Sequence, residues 1–186
     1  MTRPLEDAFA AAQAGQAWAL RVVYDELAPA VLGYLRARGA AEPEDLTSEV
    51  FLTVFPRLPT VIGGAAGLRT FAFSVAHARL VDDLRRRSRR PDPVAYDPAG
   101  DDRRTPSSED EAMVRLQTDR VQTVLATLGA DQRDVLALRV LGDLTVEQVA
   151  EALGKSPGAV KQLQRRGLLS LRKTLDQNDD PSGVTL

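Results

Sequence analysis

The 186-residue chain contains no cysteine. That excludes a disulfide scaffold, a thiolate metal site, a catalytic thiol and a cysteine redox switch on this chain. It has one histidine, His77, with no second imidazole or thiolate to complete a metal site and no nucleophile patterned to use it. No metal, cofactor or catalytic group is therefore expected. No apolar run approaches the roughly 20 residues needed to cross a bilayer. The first 20 residues lack the basic start, apolar core and small-residue cleavage site of a signal peptide. These absences predict a cytoplasmic protein without membrane insertion. Convincing strands are missing too, because β-branched residues are scattered and strict two-residue alternation does not occur.

A large charge of one sign is also absent. The formal net charge is −2, so bulk electrostatics do not announce a nucleic-acid binder. The distribution is more informative. Residues 1–84 carry 7 basic and 10 acidic side chains, whereas 85–90 (RRRSRR) carry 5 basic and none acidic. Residues 91–112 carry 2 basic against 7 acidic, and 113–186 carry 10 against 9. Within the last part, Lys161, Arg165, Arg166, Arg172 and Lys173 fall in one stretch with no acid. Two compact basic patches thus lie on an otherwise acidic chain.

Helical spacing recurs throughout. Leu5, Ala8, Phe9 and Ala12 follow the one-face pattern, and Ala17 to Arg38 is rich in helix formers. Pro43 opens a third helix, where its missing N–H costs nothing. Glu42, Glu44 and Asp45 suit the positive end of that helix, and Pro56 with Pro59 ends it. Gly63, Gly64 and Gly67 predict a loop, followed by a long helix from about Leu68 to Arg87. Phe73, Leu80 and Leu84 mark one face of this helix and Phe71 with Val75 another, so it belongs inside a bundle. Residues 91–110 hold four prolines and little to bury, which predicts a linker. Val121, Val124, Leu125 and Leu128 resume the helical pattern. Gly129 ends that helix, and Asp131 is expected to cap the next. The expected architecture is all-α with two helical domains, 1–90 and 111–175, joined by a flexible acidic linker (91–110). A disordered tail (176–186) is expected to follow.

The strongest local motif starts at Thr145, which with Gln148 fits a capping box. Val146, Val149, Ala150 and Leu153 form the apolar face of the short helix that follows. Gly154 closes it in the left-handed position. Ser156 as N-cap and Pro157 at the first position then open a new helix three residues later. Such a pair reads as a helix-turn-helix. Val160, Leu163, Gly167 and Leu171 should face inward, leaving Lys161, Gln162, Arg165 and Arg166 largely outside. The small Gly158 and Ala159 let the helix N-terminus approach a phosphate backbone. Arg and Gln can read base edges, while Lys and spare Arg neutralise phosphates. The plainer alternative is a solvated basic helix end.

Two stretches carry a family resemblance. Residues 46–90, with DLTSEVFLTVF and GLRTFAFSVAHARLVDDLRRR, resemble the second region of bacterial sigma factors. Residues 124–174, with the helix-turn-helix just described, resemble their fourth region. The pair in this order, with a short linker, is similar to the extracytoplasmic-function (ECF) group. The resemblance implies a non-enzymatic factor that directs core RNA polymerase to promoters. It implies that the segment holding Asp45, Leu46, Glu49, Val50 and Phe51 docks on the β′ clamp helices. It also implies further contact with the β subunit and an anti-sigma factor as partner. The helix from Ser156 to Arg166 is then expected at the −35 element of promoter DNA. Gly63, Gly64, Arg69, Phe71, Arg79, Arg85 and Arg86 are expected at the −10 element. There, melting needs a pocket for an unstacked base and basic or aromatic side chains for the single strand. The sequence departs from the family in its GGAAG loop, in Phe71 where Trp is common, in Ala78 where Asn is common, and in Ala159 where Thr is common. Phe71 and Phe73 also admit a plain core role.

About 17 base pairs between the two elements span roughly 55–60 Å. A fully extended 20-residue linker reaches about 65–70 Å, whereas a free coil averages about 25 Å. The two domains stay on both elements only if a partner holds them apart. Two other readings remain open: a stand-alone helix-turn-helix regulator, against which stands the lack of a β/α receiver pattern, and a small helical hydrolase, against which stands the lack of clustered His, Cys or paired carboxylates.

Overall fold

The computed structural model describes residues 3–89 and 120–178, and among these no strand occurs. The expected linker, 91–110, lies outside the described residues, as does the tail beyond 178. The first block comprises α1 (Arg3–Gln13), α2 (Ala17–Ala37), α3 (Pro43–Arg57) and α4 (Gly64–Arg89), with a 3₁₀ turn at Leu58–Thr60. The second comprises α5 (helical over 120–126), α6 (Ala130–Val140), α7 (Val146–Leu153) and α8 (Pro157–Asn178).

The elements start and stop for local reasons. α2 ends in a Schellman closure: Gly39 has φ 78°, and the N–H groups of Gly39 and Ala40 donate to the carbonyls of Arg36 and Leu35. α3 begins with Pro43 at its N-terminal turn, with Glu44 and Asp45 beside the positive helix end. α4 starts four residues earlier than the glycine spacing predicts. Gly63 (φ 85°) and Gly64 (φ 64°) supply the left-handed backbone that turns the chain straight into the helix, so most of GGAAG is its first turn. Asp131 is not the cap of α6. Gly129 occupies that position, and Asp131 sits in the first turn, 3.2 Å from the Lys155 ammonium. α8 runs to Asn178, three residues into the expected tail.

In the first block α1 packs on α2, α2 on α3 and α3 on α4. Leu5, Val23, Leu27, Tyr34, Leu35, Val50, Phe73 and Leu80 are fully or almost fully buried. The Tyr34 and Phe73 rings meet edge to face at 5.8 Å, a favoured aromatic geometry. In the second block Val135, Leu138, Leu144, Val149 and Val160 form the interior. Gly167 brings α8 against α6, where a Cβ would lie 2.7 Å from Leu136 Cδ1.

The two blocks also pack on each other, with α7 against α4 and α6 against α2. Nothing in the sequence pattern announces this. Arg38 at the end of α2 forms an ion pair with Asp134 of α6, their side chains only 5% and 15% exposed. The Gln148 amide donates to the carbonyl of Ala66 at 3.2 Å. Arg69 donates to the carbonyl of Gly142, also at 3.2 Å. Gly142 itself lies so near the first block that a Cβ there would meet the Phe73 ring at 3.3 Å.

Candidate nucleic-acid interface

The helix-turn-helix is built from its caps. The Thr145 hydroxyl accepts from the Gln148 N–H, and the Gln148 side chain accepts from the Thr145 N–H, completing the capping box. Gly154 at φ 61° ends α7 and lets the chain reverse. The Ser156 hydroxyl then accepts from the Ala159 N–H at 3.2 Å, capping α8. Val160 and Gly167 turn inward and are buried, with Leu163 and Leu171 half-buried behind them. Ser156, Pro157, Gly158, Ala159, Lys161, Gln162, Arg165 and Arg166 are all exposed. The structure therefore gathers the eight expected −35 residues at the outer N-terminal end of one helix. Ammonium, amide and guanidinium donors of Lys161, Gln162, Arg165 and Arg166 converge there, the inventory needed for phosphates and base edges.

Sequence reasoning missed Arg139. It extends this basic surface from α6, lining one cleft with Lys161, Arg165 and Arg172. Its guanidinium donates to the Leu144 carbonyl, which holds the turn before α7 in place. The signal was available only as a basic residue in the last turn of a helix.

The expected −10 residues are dispersed along α4 rather than gathered. Gly63 and Gly64 form its entry, and Arg69 is engaged with Gly142. Phe71 is half-buried and packs on the core, whereas Phe73 is fully buried. Arg79 is exposed and donates to the Thr53 hydroxyl at 3.1 Å. Arg85 and Arg86 are exposed on the last turns, and Arg86 lies 3.7 Å from Asp83. Beside the entry stands Ile62, 86% exposed, an apolar side chain that the sequence reading passed over. His77 is half-buried on α4, where its Nδ1 lies 3.0 Å from the Tyr34 hydroxyl. Burial and the nearby Arg38 and Lys155 cations push the imidazole below its ordinary value against the opposing pull of Asp134. Burial also pushes the Tyr34 phenol up, so it stays protonated. Among the described residues no group of His, Asp and Glu is placed to hold a metal. No described helix is long and apolar enough to cross a membrane.

On α3 the structure divides the five residues expected at polymerase. Asp45 and Glu49 are exposed one turn apart. Leu46, Val50 and Phe51 point into the core, so these three cannot form the apolar part of an outer face. A helix with 3.6 residues per turn puts them on its inner side. The apolar group beside the acids is Leu52, 74% exposed, with Ser48 between them.

Two family profiles match the chain: Sigma-70 region 2 over residues 23–90, and Sigma-70, region 4 over residues 124–173. Among curated proteins, the ECF RNA polymerase sigma factor ShbA of Streptomyces griseus is 31% identical over 174 residues, covering 88% of this chain and 91% of the relative. The ECF RNA polymerase sigma factor SigL of Mycobacterium tuberculosis is 32% identical, covering 89% of this chain and 94% of the relative. SigD of the same organism, also an ECF RNA polymerase sigma factor, is 30% identical over 186 residues, covering 90% and 82%. Among solved structures, CnrH in complex with the cytosolic domain of CnrY superposes with a TM-score of 0.69 at 19% identity, covering 95% of this chain and 99% of that one. That likeness concerns the fold.

Proposed function

The chain belongs to the ECF RNA polymerase sigma factors, and from that premise we propose how its two halves divide promoter-specific initiation. It binds core RNA polymerase and promoter DNA and acts without catalysis of its own, in the cytoplasm. The second block reads the −35 element through α8, with Arg165 and Gln162 at base edges and Lys161 and Arg166 at phosphates. Arg139 and Arg172 extend the phosphate contacts. The first block captures and opens the −10 element through the entry of α4 around Ile62, Gly63 and Gly64. Phe71 stacks or wedges there, and Arg79, Arg85 and Arg86 hold the strand. Asp45, Ser48, Glu49 and Leu52 dock on the β′ clamp helices: two carboxylates one turn apart, with an apolar side chain one turn beyond, are complementary to a basic coiled coil. The β subunit and an anti-sigma factor complete the proposed partners.

The observation that carries this reading is the exposed polar end of α8, eight residues outward and Val160 and Gly167 inward. The test is addition of the purified protein to sigma-free core polymerase with a fragmented genomic template. Co-elution and new start sites sharing two spaced elements are expected. Direct, specific DNA binding with neither co-elution nor transcription would favour the stand-alone regulator instead.

A further inference from the structure

The loop that leads into α4 is pinned on both sides of Ile62. Upstream, the side-chain amide of Gln13, at the end of α1, donates to the carbonyls of Leu58 and Val61 at 3.2 and 2.9 Å. These two residues bound the 3₁₀ turn, which closes on itself where the Val61 N–H donates to the Leu58 carbonyl at 3.1 Å. Downstream, the Ile62 carbonyl is seated over Gly67 so closely that no Cβ fits there. Between these fixed points the Ile62 side chain stands in solvent. Gln13 is 45 and 48 positions from its two acceptors, and α1 lies wholly outside residues 23–90, which match Sigma-70 region 2. We infer that Gln13 is a positioning residue for strand opening, through which α1 holds the loop in the shape that presents Ile62 to the −10 element. The inference rests on the −10 assignment of the α4 entry for what the loop does, but not for the existence of the anchor.

α1 is itself fixed firmly enough to serve as a support. Leu5, Ala8 and Ala12 are buried, and the helix packs on α2, α4 and the 3₁₀ turn. Gly15, at φ 76°, closes it, with the N–H groups of Gly15 and Gln16 donating to the carbonyls of Ala12 and Ala11. The loop needs such a support. Gly63 and Gly64 both occupy left-handed backbone, and unrestrained glycines keep more conformational freedom than other residues. A wandering loop has to be ordered at the moment it engages the strand, and that cost weakens capture. Gln13 holds backbone carbonyls, not side chains. What it fixes is therefore the path of the chain, and with it the direction in which Ile62 leaves. A staple for the helix end alone would not need Val61, the residue immediately before the exposed Ile62, as its shorter-bonded acceptor.

The test uses the full chain. Gln13→Met keeps the length of the side chain and removes both donors. Circular dichroism checks folding. Hydrogen exchange at the Gly67 N–H, which donates to the Gly63 carbonyl, should become about tenfold faster, as the loss of two ordinary hydrogen bonds implies. With core polymerase and a promoter recovered by transcription of a genomic template, co-elution and closed-complex formation should stay at the wild-type level. Strand opening, followed by time-resolved permanganate reactivity of the −10 thymines, should slow about tenfold, in proportion to the ordered fraction of the loop. Should Gln13→Met unfold, Gln13→Asn, one methylene too short to reach both carbonyls, carries the same test. Unchanged Gly67 exchange in a folded variant would overturn the anchor. Closed-complex formation falling in step with opening would reduce Gln13 to a structural staple and overturn its positioning role. Faster exchange with normal opening by Gln13→Met, while Ile62→Ser slows opening, would overturn that role and leave the −10 assignment standing. Faster exchange with normal opening by both variants would uphold the anchor and sink the −10 assignment, and with it the role.

Discussion

The carbonyl oxygen of Ile62 lies 1.8 Å from where a Cβ on Gly67 would stand. The Gly67 N–H also donates to the Gly63 carbonyl at 3.0 Å. Glycine at 67 is thus what allows the loop to fold back over the first turn of α4 and hold Ile62 out in solvent. Gly67→Ala forces backbone to move, not a flexible side chain. A cost of about 1–3 kcal/mol is expected for such overpacking, measurable as a lower Tm, together with impaired promoter opening by the residual folded protein. Permanganate footprinting of the melted region checks the second part. Unchanged melting and unchanged Tm would mean that the loop relaxes freely.

Asp45→Arg with Glu49→Arg should abolish co-elution with core polymerase while the protein stays folded. Leu52→Ala, at an exposed position, should weaken core binding with a stability change within about 0.5 kcal/mol. Leu46→Ala should do the reverse, costing about 2–5 kcal/mol through a cavity in the core. Equal effects of the two leucines on core affinity would undo the division of α3 into an inner and an outer face.

Arg165→Ala should lower affinity for promoters recovered by transcription of a genomic template. A base-edge contact predicts a loss of about 1–3 kcal/mol and relaxed preference at one −35 position. Co-elution with core should be unaffected. A uniform loss across sequences, with a shallower salt dependence, would assign Arg165 to phosphate instead.

Phe71 is half-buried, so Phe71→Ala separates two roles. Impaired strand opening at near-normal closed-complex formation is expected of a melting residue. A Tm loss without an opening defect would place the ring with Phe73 in the core.

His77 gives the stability a pH dependence. Its imidazole is held below the ordinary value of 6.5, facing Tyr34 and Arg38 from α2, Asp134 from α6 and Lys155 after α7. Between that depressed value and 6.5 the unfolded chain binds more protons than the folded one. Stability must therefore rise with pH across this window and be lost on acidification below about 6.5. Denaturant titrations between pH 5 and 7.5 should show the slope, and His77→Gln should flatten it.

Much of the fold is legible because its signals are local. Thr145 and Gln148 three residues apart, Gly154, and Ser156 before Pro157 each satisfy orphaned backbone groups within one turn, so their geometry follows from spacing alone. The same logic fails at Gly64, because GGAAG without its surroundings reads as loop. Only the left-handed turn at Gly63 and Gly64 reveals that Ala65 and Ala66 are already helical. On α3, acids and apolar residues alternate closely enough that Leu46, Val50 and Phe51 resemble an outer surface until α2 and α4 are seen to cover them. Arg38 and Asp134 are 96 positions apart, beyond the reach of any periodic pattern, and so the packing of the two blocks stays invisible in the sequence.

The buried ion pair also limits how freely the halves of this protein can be exchanged. A chimera joining residues 3–89 to a foreign promoter-reading half leaves Arg38 facing whatever stands where Asp134 stood. Without a carboxylate there, the junction meets a guanidinium stripped of its counter-charge, and the packing of α6 against α2 is weakened. Modules that look independent along the chain are matched to one another across a buried charge pair.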